Sequence, residues 1–76
     1  MGKVQTINKV FRLKRGGKFN IPGLRDELEF INGQEFHIVL DVLYMNGFPL
    51  PMAMQTPIIN WIFNNKFLFV EDTRNF

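Results

Sequence analysis

Glycine and proline recur in close company along this chain, and they leave little room for long elements. Gly16-Gly17, Pro22-Gly23, Asn32-Gly33 and Asn46-Gly47 are followed by Pro49-Leu50-Pro51. Glycine accepts the positive φ of tight turns, and proline is excluded from helix interiors and central strands. The stretches between these marks suit strands. The side chains agree. Ala53 is the only alanine and serine is absent, whereas there are nine phenylalanines and many Ile and Val. Alanine leads the helix scale, and β-branched and aromatic residues favour strands. The chain reads as mainly β.

Residues 4–14 read as a first strand, with Phe11 and Leu13 on one face and Arg12 and Lys14 on the other. A loop over residues 16–18 would fold Phe19 and Ile21 back with Leu13 opposite Ile21, giving a basic N-terminal hairpin. Pro22-Gly23 makes the next turn. Residues 28–31 and 35–45 form a second expected pair of strands around Asn32-Gly33, since Asn-Gly between apolar runs is a strong hairpin signal. Phe36, Ile38, Leu40, Val42 and Tyr44 would share an apolar face, opposite His37, Val39, Asp41, Leu43 and Met45. Asn46-Gly47 ends this strand, and residues 49–51 are extended. Thr56-Pro57 suits the N-cap and first position of a short helix through Phe63, with a strand over residues 58–63 as the alternative. Asn64-Asn65 turns the chain into a last short strand, residues 66–70, and residues 72–76 are expected to be a loose tail.

Seventy-six residues without cysteine amount to one small domain with no disulfide, no thiolate metal site and a thin stability margin, so a homodimer or a docked partner is an attractive support. The longest apolar stretch, residues 36–45, contains His37 and Asp41 and falls well short of the ~20 residues a membrane span needs. The first residues lack an apolar leader, and Gly2 with Thr6 fits a myristoylation pattern short enough to arise by chance. A cytoplasmic location is the default expectation. The abundance of Phe, Ile, Asn and Lys suggests an AT-rich coding genome, as in many viruses.

Asp26, Glu27, Leu28, Glu29, Phe30, Ile31, Asn32, Gly33, then Glu35 to Val39, resemble the diverging turn of Src-homology-3 domains: an acidic pair, Leu, a polar residue, Phe, then Gly before a strand. Residues 61–68 look loosely like the closing strand of such barrels. The resemblance implies a small, partly open barrel of about five strands with one short helical turn. The family's proline-peptide site does not carry over, because its aromatic segment, tandem Trp and Pro-x-x-Tyr have no counterpart here.

The inventory argues against an enzyme. There is no Ser or Cys nucleophile, and Thr6, Thr56 and Thr73 have no histidine near in sequence. His37 is the lone histidine and could meet Glu35 on one strand face, too few ligands for a structural zinc site. Asp26, Glu27 and Glu29 read as a solvated acidic loop. No cofactor, metal or small-molecule substrate is expected.

Charge is the functional clue. Residues 1–25 carry Lys3, Lys9, Arg12, Lys14, Arg15, Lys18 and Arg25 and no acid, a formal +7. Seven acids against Lys66 and Arg74 leave −5 for residues 26–76, which restores the total of +2. A one-signed surface steers oppositely charged partners. The leading expectation is a non-enzymatic binding module that contacts an anionic partner, nucleic acid first, through Lys9, Arg12, Lys14, Arg15, Lys18 and Arg25. Phe11 and Phe19 interleave with these cations and fit either a stacking surface or the core. The alternative is a protein–protein interaction module, such as a virus-encoded inhibitor or modulator of a host enzyme. It would use Phe48, Leu50, Met52, Met54 and Trp61, or present its cations to an acidic protein surface.

Overall fold

The computed structural model describes residues 7–75, and side chains for residues 8–73. The elements are β1 (Ile7–Leu13), β2 (Gly17–Phe19), β3 (Leu28–Phe30), β4 (Glu35–Val39), β5 (Val42–Met45), β6 (Phe48–Pro49), α1 (Met52–Asn64), a 3-10 turn (Lys66–Leu68) and β7 (Phe69–Asn75). The fold is mainly β. Five strands form an antiparallel sheet in the order β6-β5-β4-β1-β7, and β2 pairs with β3 in a separate two-stranded ribbon. No strand among the described residues joins β6 to β7, so the sheet is not closed into a barrel and the expected partly open barrel is not borne out. No helix among the described residues is long and apolar enough to cross a membrane.

The basic hairpin expected at residues 12–21 is absent, and the reason is competition for β1. That strand is central, with β4 hydrogen-bonded along one side and β7 along the other. The same capture continues just past it, where the Leu13 N–H donates to the Gln34 carbonyl and the Lys14 N–H to the Leu68 carbonyl. With both flanks taken, the chain leaves the sheet and β2 pairs with β3 instead. The expected start of the first strand at Val4 lies outside the described residues.

The strand expected over residues 35–45 is two strands. Leu40 and Asp41 both adopt positive φ, 50° and 65°, the conformation of a two-residue type I′ hairpin. Leu-Asp is an unusual pair for it, since a left-handed non-glycine residue is strained. The turn reverses the faces beyond it. Phe36 and Ile38 now share the inner face with Leu43 and Met45, while His37 and Val39 stand opposite Tyr44 and Val42 on the other face. Asn32-Gly33 does turn the chain, but its two strands go to different sheets and do not pair with each other.

The helix is the second correction. It covers thirteen residues and begins at Met52, so Pro57 lies inside it rather than at its first position. Proline there removes a hydrogen bond to the carbonyl four residues back. That carbonyl belongs to Ala53, which is exposed, and water can take the missing donor's place. Ile58, Trp61 and Ile62 recur at helical spacing and are its buried residues. At the other end of the chain β7 runs through Asn75 and pairs along all of β1, so residues 72–75, expected to be loose, belong to the sheet. Phe76 lies outside the described residues.

One face of the sheet is covered by α1 and by the β2–β3 ribbon side by side. Between them lies a single aromatic cluster. Trp61 is only 6% exposed, 5.2 Å from the Phe19 ring and 6.0 Å from Phe30 of the ribbon, and 6.4 Å from Phe36 and 5.4 Å from Phe69 of the sheet. Several of these pairs are edge-on, the arrangement the ring quadrupoles favour. Trp61→Ala is expected to cost about 3–5 kcal/mol, enough to unfold a domain of this size; a far-UV and near-UV circular dichroism melt reads it. Replacing Leu40-Asp41 by Asn-Gly should stabilise the protein by about 1 kcal/mol, seen as a higher urea midpoint at unchanged slope.

Candidate nucleic-acid interface

Six cations were singled out by sequence, and the fold sorts them into two groups. Lys9 is on β1 facing the helix side, where its ammonium lies 3.8 Å from Glu71. It lines a ≈380 Å³ cavity with Ile38, Leu40, Asp41, Ile59 and Phe63. Arg12 points from the opposite face and its guanidinium approaches the Glu35 carboxylate at 3.4 Å. Both pairs are exposed enough to contribute at most about 1 kcal/mol each. They nonetheless soften the local potential.

Lys14, Arg15, Lys18 and Arg25 are exposed, and none of the ion pairs among the described residues involves them. Lys14 and Arg15 occupy the corner where the chain leaves β1 for β2. Lys18 is on β2, directly across from Glu29 on β3. Arg25 lies in the following loop, at the rim of a ≈160 Å³ cavity shared with Leu24, Asp26, Leu28 and Met54.

The corner is held rigidly. A Cβ at Gly16 would stand 2.4 Å from the Phe30 carbonyl oxygen and 2.5 Å from the Ile31 carbonyl carbon, so only glycine passes so close to that backbone. The Gly16 N–H donates to Asn32 Oδ1 at 2.6 Å. That amide is therefore committed inside the protein, and the corner presents side-chain charge without the Gly16 N–H. Phe11 and Phe19 face the core and are not a stacking surface for a ligand at the corner.

The apolar candidates also divide. Trp61 is core, and Leu50 and Met54 are half-buried against it. Phe48 and Met52 remain exposed, at 74% and 87%. Glu35 and His37 do meet, with His37 Nε2 3.1 Å from Glu35 Oε1, and no group of three metal-ligating side chains exists among the described residues. Asp26, Glu27 and Glu29 are exposed.

Two polar residues beside His37 were not expected at any site, and Tyr44 was expected on the opposite, apolar face. Asn8 is buried on the face away from the helix, and Tyr44 stands across from His37 there. Asn8 could have been noticed from its alternation with Val10 and Arg12; Tyr44 was concealed by the unrecognised turn at residues 40–41. Comparisons of the chain with protein-family models, with curated proteins and with solved structures return no match. Asn32→Ala is expected to cost about 1 kcal/mol by leaving the Gly16 N–H without its acceptor, measurable as a lower urea midpoint.

Proposed function

We propose that this protein is a non-enzymatic binding module that holds nucleic acid by its phosphates. The observation that carries the reading is the corner and ribbon bearing Lys14, Arg15, Lys18 and Arg25, all exposed and outside the ion pairs. Acids are plentiful in residues 26–76, yet among the described residues the lysines and arginines in ion pairs are Lys9, Arg12 and Lys66. Exposed cations outside the ion pairs on a shared support are the electrostatic footprint of a phosphate-binding surface. Arg12 adds to it when phosphate competes for its guanidinium. Guanidinium and ammonium groups without a fixed base-reading geometry give affinity with little sequence preference.

A second reading rests on Phe48 and Met52. Two large apolar side chains beside the short β6 edge suit a protein–protein contact. Such a complex would survive high salt, be broken by Met52→Asp and be indifferent to Lys14→Ala. The nucleic-acid reading has the opposite signature.

Fluorescence anisotropy with a labelled duplex, titrated across salt concentrations, tests it. The log of the affinity should fall linearly with the log of salt, and Lys14→Ala, Arg15→Ala and Lys18→Ala should each flatten the slope by about 0.9. Lys9→Ala, on the other face and paired, should leave it unchanged. Glu35→Gln should strengthen low-salt binding by releasing Arg12. Salt-insensitive binding, or none at low salt, overturns the proposal.

A further inference from the structure

On the face away from the helix, β1, β4, β5 and the turn after β5 border an open pocket of ≈200 Å³ lined by Asn8, His37, Val39, Tyr44 and Gly47. Asn8 is only 5% exposed, and its Oδ1 is buried with no hydrogen-bond partner among the described residues. Buried acceptors in folded proteins are almost always satisfied, and one left bare destabilises its own domain. Its persistence at the edge of a pocket points to a partner that arrives from outside.

The walls define that partner. His37 and Tyr44 are cross-strand neighbours on this face, two rings on one side of the space. Glu35 holds the His37 ring by its Nε2 and reaches Arg12 with its other oxygen. Val39 adds an apolar wall and Gly47 contributes no side chain. A closed cavity of about 150 Å³ admits a benzene ring, and this open pocket of ≈200 Å³ is of the size of a flat heterocycle. A planar occupant that brings an N–H to the Asn8 side chain would answer both features.

We infer that this pocket is a subsite for one unpaired nucleobase, stacked against Tyr44 and His37 with an N–H of its Watson–Crick edge on Asn8 Oδ1, an inference that rests on the nucleic-acid reading above. In a duplex those N–H groups are consumed in pairing, so Asn8 selects single strands. The rest of the face suits the strand attached to such a base. Asn8, Val10 and Arg12 alternate along β1, which puts Arg12 roughly 14 Å from Asn8 at about 3.4 Å per residue. The sugar–phosphate chain leaving the base therefore runs past Arg12 towards Lys14 and Arg15 at the corner. Aromatic stacking with backbone charge is how single strands are held without strong sequence preference.

The test uses the full-length protein with three probes: a deoxyadenylate dodecamer, the same length of abasic strand, and the dodecamer annealed to its complement. In the wild-type protein the dodecamer should shift the NMR signals of the Asn8 side-chain amide and of the His37 and Tyr44 rings, and the abasic strand should not. The dodecamer should bind at least tenfold more tightly than the abasic strand, and more tightly than the duplex. Tyr44→Ala should lower dodecamer affinity by about five- to a hundredfold and leave abasic binding unchanged, while Tyr44→Trp keeps it. Asn8→Leu should weaken the dodecamer and raise the melting temperature by about 4–8 °C per kcal/mol relieved, a gain that a structural asparagine would not give. Equal, salt-sensitive binding of dodecamer and abasic strand, with no shift at Asn8, overturns the base subsite and leaves the phosphate reading standing. Failure of all three probes to bind at low salt overturns both.

Discussion

Trp61 is where the two halves of this protein become one. The five-stranded sheet and the β2–β3 ribbon share no strand pairing, and between their faces it is side chains that pack. The indole supplies that junction, contacting Phe19 and Phe30 from the ribbon and Phe36 and Phe69 from the sheet. A two-stranded ribbon is at best marginal by itself and needs a packed face to persist. The position of Lys18 on β2 therefore depends on a buried ring. So does the rigidity of the corner, because Gly16 lies against the backbone of the strand that carries Phe30.

Charge follows from this layout. The acids after residue 25 are spread over the ribbon, its loop, β4 and β7, and only those reaching β1 meet the cations there. Glu71 reaches Lys9 and Glu35 reaches Arg12 because β7 and β4 flank β1 directly. Lys14 and Arg15 lie beyond the last paired residue of β1, where neither flanking strand places a carboxylate. The basic end of the chain is thus neutralised along the sheet and left bare at its corner.

Much of this was written in local chemistry. The turns at Pro22-Gly23, Asn32-Gly33 and Asn46-Gly47 are where glycine with Pro or Asn put them, and Phe11, Leu13, Phe36 and Ile38 are core residues at the alternation their sequence shows. What escaped was decided by partners distant in sequence. No local rule tells Leu13 that Gln34 and Leu68 will claim the groups beside it, or that β7 will outcompete β2 for the flank of β1. The Leu40-Asp41 turn has no glycine or asparagine to announce it and is held by the pairing of Ile38 with Leu43. That one omission also moved Tyr44 to the wrong face. The exposed cations were legible from composition alone; their neighbours Asn8 and Tyr44 required the register.

The open sheet has two edges, and each discourages continuation in its own way. At β6 the strand is two residues long and ends in Pro49, which offers no N–H to a neighbour. At β7 seven residues are available, but Glu71 and Asp72 stand consecutively at its middle, one on each face. A strand arriving there with acids of its own meets like charge on both sides of the sheet. Growth of the sheet by unselective edge pairing is thereby opposed in a chain that otherwise has the β-rich, aromatic composition of an aggregating one.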